Sequence, residues 1–101
     1  MDFGTQSPEP PPDVTIAVGD ARTSRELHAV LKQELGFPDF YGMNWDAFWD
    51  SITGLVEIPD RITFTGWDAL ASQLPRDAGL LRECLEDYQQ QYRDNFEATY
   101  V

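Results

Sequence analysis

The sequence predicts an α/β domain in which a small three-stranded parallel sheet packs with about four helices. Three observations predict it. Short runs at 14–18, 61–65 and 95–101 alternate apolar and polar residues as strands do, and helical spacing fills the intervals between them. Strands separated by helices are joined by crossovers, which leave neighbouring strands parallel. A length of 101 residues, 42% of them hydrophobic, supplies one modest core and not two.

The elements follow in order. Residues 1–12 carry Pro8, Pro10, Pro11 and Pro12 without apolar periodicity, so a disordered proline-rich tail is expected ahead of a domain spanning 13–101. Val14, Ile16 and Val18 form one face of the first strand, and Gly19-Asp20 turns the chain. Thr23-Ser-Arg-Glu26 matches a capping box, with Leu27, Val30, Leu31 and Leu35 at helical spacing behind it and Gly36 and Pro38 as stop signals. Gly42 is expected to make a tight bend, and Asn44 to cap a short acidic helix that Gly54 ends. Ile62 and Phe64 mark the second strand. Trp67, Leu70, Ala71 and Leu74 make a short helix closed by Pro75, and a longer helix over about 77–93 should bury Leu81, Cys84, Leu85, Tyr88 and Tyr92. Phe96, Ala98 and Tyr100 share a face of the third strand.

Charge is the outlier of the composition: 7 basic against 18 acidic residues give a net −11. Nucleic-acid binding is disfavoured, because phosphate contacts come mainly from Lys and Arg. A basic partner is the natural complement, although acidity also serves solubility alone. Cys84 is the single cysteine, so no internal disulfide can form and a reducing compartment fits. Neither a secretory leader nor a membrane-length apolar run is visible, and a cytoplasmic, monomeric protein is expected.

The most informative stretch is 40–54. Asp46 and Asp50 are four apart and project from one helix face, and Trp45 and Trp49 repeat the step beside Phe48 and Ile52. Phe48 reads as core. For the two tryptophans core packing and partner contact both stay open, since indoles are seldom fully buried and these flank the acids. A carboxylate on a rigid helix, hemmed by rings that exclude water, can meet Arg or Lys with little side-chain ordering.

Catalysis has weaker support. The two aspartates could be an acid–base pair, but adjacent turns of an open helix offer no burial to split their pKa values. His28, the only histidine, sits within an amphipathic helix with no nucleophile motif nearby, and reads as a half-buried structural residue. Asp46, Asp50 and Glu57 lack the ligand ladder of a hard-metal site, and no phosphate-cradling glycine motif is present. No catalytic residue, metal site or cofactor is expected.

The stretch Phe40-Tyr-Gly-Met-Asn-Trp-Asp-Ala-Phe-Trp-Asp-Ser-Ile-Thr-Gly-Leu-Val-Glu57 resembles the signature segment of the barstar family, small intracellular inhibitors of extracellular guanyl-specific ribonucleases such as barnase. The resemblance extends over 14–101 and implies a barstar-like fold. It implies that Asp50 is the carboxylate that takes the place of an RNA phosphate among the enzyme's arginines and catalytic histidine, with Asp46 a second interface acid. It further implies that Gly42, Asn44, Trp49, Thr53 and Gly54 line the same patch, and that the last helix adds an acid at Asp87 or the adjacent Glu86. Phe40 stands where a family member has an interfacial tyrosine, Leu55 replaces an aromatic and Met43 an acid. These differences lie at the rim, where partner choice is tuned. Two functions are therefore expected in competition. One is one-to-one inhibition of a basic extracellular-type ribonuclease or nuclease toxin domain. The other is a non-inhibitory module binding a basic protein that is not a nuclease.

Overall fold

A computed structural model of the chain describes residues 12–101. The expected tail lies outside the described residues except for Pro12, whose carbonyl accepts the Arg61 N–H at 3.0 Å. Strands β1 (Asp13–Ala17), β2 (Arg61–Thr65) and β3 (Glu97–Tyr100) form a parallel sheet in the order β1-β2-β3. Helix α1 (Ser24–Leu35) follows β1, then α2 (Trp45–Asp50), which continues into a π-helical turn, Ser51–Leu55. Helices α3 (Trp67–Gln73) and α4 (Pro75–Gln91) lie between β2 and β3. The predicted α/β class, strand number and helix number are those observed.

The parallel register explains where the core sits. Ile16 pairs with Phe64 and Phe64 with Tyr100, while Val14, Ile62 and Ala98 form the next row. These rows face the helices, and Ile16, Ile62 and Phe64 are fully buried. The opposite rows, Asp13–Arg61–Glu97 and Thr15–Thr63–Thr99, range from half-buried to exposed. Parallel sheets are usually covered on both faces. Here β-branched threonines keep strand propensity on a face that meets solvent.

Several local expectations are corrected. Thr23 caps α1, accepting the Glu26 N–H at 3.1 Å, but Glu26 accepts the N–H of Arg22 and not that of Thr23, so the box closes one residue early. Helix α3 ends immediately before Pro75, as expected, and Pro75 also opens α4, since proline's fixed φ and missing N–H suit a first helical turn. The bend before α2 is made by Met43, with φ 58°, and not by Gly42. Gly54 lies inside the π-helical turn, which Val56 caps. Tyr92, expected in the core, is the exposed C-cap of α4. Cys84 is half-buried where full burial was expected, and His28 is fully buried where half was expected.

Gly66 joins β2 to α3 at φ 74°, and a Cβ there would sit 2.8 Å from the Gly19 backbone. Gly66→Ala is therefore expected to destabilise by more than about 1 kcal/mol, from the left-handed backbone alone. Gly79, exposed inside α4 with nothing within 4 Å, should behave oppositely. Gly79→Ala is expected to raise the Tm by about 4–8 °C, through roughly 1 kcal/mol of helix propensity. Melting curves that shift in the same direction would contradict this pair. Among the described residues no helix is long and apolar enough to cross a membrane.

Candidate functional site

Helix α2 is short but firmly begun. Asn44 takes an extended backbone and its Oδ1 accepts the Ala47 N–H at 2.7 Å, while its Nδ2 donates to the Gly42 carbonyl at 3.2 Å. Asn44 thus spends both ends of its amide on holding the helix start. Asp46 in the first turn complements the helix dipole. Phe48 is fully buried beneath, edge-on to Phe37 at 5.7 Å and to Trp45 at 5.3 Å.

Asp46 and Asp50 are both exposed, and neither carboxylate has an ion-pair or hydrogen-bond partner among the described residues. The ion pairs lie elsewhere, in Arg61–Asp13, Arg82–Glu86 and Arg93–Asp60. Helix α4 brings more negative charge alongside. Burial pushes the Cys84 thiol up to about 11, and the carboxylates of Asp87, Glu83 and Asp46 add to the shift. Acids from two helices therefore surround one half-buried sulfur. Glu86 pairs with Arg82, and its charge acts on Tyr100 at the sheet edge. Both last-helix acids named from sequence are exposed, and the charge of Asp87 acts on Cys84 as that of Asp46 does. Glu83 was not foreseen, because helical spacing alone does not say which rim of α4 meets α2.

The environment of Cys84 has a measurable consequence. A thiol at about 11 holds roughly 100-fold less thiolate at neutral pH than one at 9, so alkylation of the folded protein should be slow by about that factor. Its rate is expected to climb about tenfold per pH unit toward 11. Iodoacetamide labelling as fast in the folded as in the denatured chain would contradict the burial and charge described here.

The two tryptophans have different surroundings. Trp45 turns inward: its ring lies 4.3 Å from His28, and its Nε1 donates to Asp77 Oδ1 at 2.9 Å. His28 Nδ1 is 2.7 Å from the Tyr41 hydroxyl, and burial lowers its pKa, opposed by the charge of Asp77. This cluster props the first turn of α2 from below. Trp49 is half-buried and meets Tyr92 edge-on at 6.0 Å. Thr53 donates its hydroxyl to the Trp49 carbonyl at 2.7 Å.

Large apolar side chains are exposed on and near the elements that flank α2. Phe40 is 75% exposed, Tyr92 56% and Leu55 51%. Gly54 is also exposed, has no positive φ, and a Cβ there would meet nothing within 4 Å, so the fold itself does not require glycine. At Gly42 an added Cβ would press on Asn44 Nδ2 at 3.3 Å and Ala47 Cβ at 3.4 Å, which does constrain the residue. Anionic centre, aromatic flanks and a smooth glycine edge are the make-up of a protein-contact surface. Among the described residues no three His, Cys, Asp or Glu side chains are grouped to hold a metal ion.

The family described as Barstar (barnase inhibitor) matches residues 12–101 of this chain. The chain is also similar to the protein named "Putative ribonuclease inhibitor YrdF" of Bacillus subtilis (strain 168). The two are 36% identical over 70 residues, which is 69% of this chain and 77% of that protein.

Proposed function

The chain belongs to the barstar family, and on that premise we propose that it inhibits a basic ribonuclease one-to-one by plugging the active site with the acidic face of α2. The observation that carries this reading is the pair of exposed carboxylates of Asp46 and Asp50, without partners among the described residues, on a helix capped at its start and packed from below. A ribonuclease cleft must bind phosphodiester anions, so it presents Arg, Lys and His at close quarters. A carboxylate carries the same single charge as a phosphodiester and accepts the same donors. Held on a rigid helix it needs little ordering on binding.

In this reading Asp50 enters the cleft and Asp46 follows one turn behind. Asp87 and Glu83 extend the negative field across to α4. Trp49, Phe40 and Thr53 exclude water around the charges, and Gly42 and Gly54 let the partner backbone approach closely. The absence of any internal need for glycine at 54 favours that role. Asn44 serves by fixing the helix start. Inhibitor and nuclease of this kind meet where the inhibitor's own cell needs protection, which agrees with the cytoplasmic location expected from sequence.

Titration of the protein into a guanyl-specific ribonuclease assay tests the proposal. Activity should fall linearly to zero at one equivalent. The association rate should also drop steeply as salt rises toward physiological strength, where charges are screened over about 8–10 Å. Tight binding to a basic protein without loss of its nuclease activity would transfer the same face to a non-inhibitory role.

A further inference from the structure

We propose that the groove between the π-helical turn and the end of α4 receives an arginine or lysine side chain of the basic partner, as a contact separate from the one Asp50 makes. The groove encloses about 900 Å³ and is lined by Thr53, Val56, Glu57, Tyr88, Tyr92 and Arg93, among others. It begins where the acidic helix ends, because Thr53 both lines it and bonds to the carbonyl of Trp49.

Two groups make it fit for a cation. Tyr92 stacks on Tyr88 at 5.8 Å and 20° and forms a T-shaped pair with Trp49, yet stays 56% exposed. More than half of the residue is therefore open to solvent, which leaves ring surface available for cation–π contact. Glu57 is exposed and has no ion-pair partner among the described residues. The groove's own cation does not neutralise it. Arg93 is held by Asp60, by the Ile58 carbonyl at 3.0 Å and by the Tyr88 hydroxyl at 3.3 Å. A carboxylate and a largely exposed aromatic ring lining one groove, in a chain of net charge −11, select a long cationic side chain over an apolar one. The identity of the occupant's owner rests on the inhibitor reading; the chemistry of the groove does not.

Argininamide titrated into the full chain and followed by NMR tests the groove, with citrulline amide as the uncharged control. Saturable shifts are expected at Val56, Glu57 and Tyr92 with argininamide and not with citrulline amide. Glu57→Gln and Tyr92→Leu should each weaken that binding by about two- to fivefold. Shifts confined to Asp46 and Asp50, or equal shifts from both amides, overturn the proposal. Ribonuclease inhibition by the same two variants is read separately. Stoichiometric inhibition with faster dissociation than the unsubstituted chain supports a partner cation seated here, and dissociation unchanged in both variants overturns it. If the unsubstituted chain inhibits no ribonuclease while argininamide still seats beside Tyr92 and Glu57, the inhibitor reading fails and the cation-binding groove stands.

Discussion

Asp50→Ala is expected to weaken the complex with the target ribonuclease by about 2–5 kcal/mol, or roughly 30- to 4,000-fold in Kd, a range drawn in part from the barnase–barstar pair itself. Two terms combine. The variant loses the charge-assisted contacts, and the cations of the cleft are left desolvated without a counter-charge. The loss should appear mainly as faster dissociation, since one charge among many contributes little to long-range steering. Stability should barely change, because Asp50 is exposed and without a partner among the described residues. Glu97→Ala is the matched control: the same formal charge is removed from an exposed position on strand β3, outside α2. A rim or remote charge of that kind is expected to cost under about 1 kcal/mol. Comparable losses for the two variants in calorimetry would remove α2 from the contact.

Phe48→Ala is expected to cost about 3–5 kcal/mol of folding stability. The ring is fully buried and edge-on to Phe37 and Trp45, so truncation leaves a cavity directly under the acids. Domains of this size are stable by only about 5–15 kcal/mol, so the variant should be strongly destabilised and could unfold outright. Urea unfolding measures the cost, and a loss below about 1 kcal/mol would contradict the packing. Where enough stability remains, affinity should also fall although no contact residue has been changed. The six-residue α2 depends on this packing for its shape, because isolated helices that short do not persist in water.

Much of this architecture is legible in the chain because it is encoded locally. The Thr23 cap, the Asn44 cap and the stop at Gly36 depend on side chains within a few residues of the backbone they satisfy. The spacing of Asp46 and Asp50 places them on one helix face whatever surrounds that helix. The π-helical turn was not legible, since Ser51, Ile52, Thr53, Gly54 and Leu55 carry no pattern that separates it from one more α-turn. Gly42 suggested the bend, yet Met43 makes it. Glycine is the usual bearer of positive φ, and only the closeness of Asn44 and Ala47 reveals that Gly42 is there for space.

The last helix separates the two kinds of information most clearly. Its period assigned Leu81, Leu85 and Tyr88 to the core, as observed, and extended the same stripe to Tyr92. Tyr92 falls where the helix ends and the chain turns toward β3, so its ring leaves the stripe and meets Trp49. By itself the sequence determined the three strands and four helices, the caps of α1 and α2 at their starts, and the two acids of α2, because periodicity and capping act over a few residues. Only the tertiary structure decided that the charges of Asp87, Glu83 and Asp46 all act on Cys84 while Glu86 pairs with Arg82, and that His28 packs against Trp45. Which side of one helix faces another is settled by contacts between residues distant along the chain, and no local rule contains them.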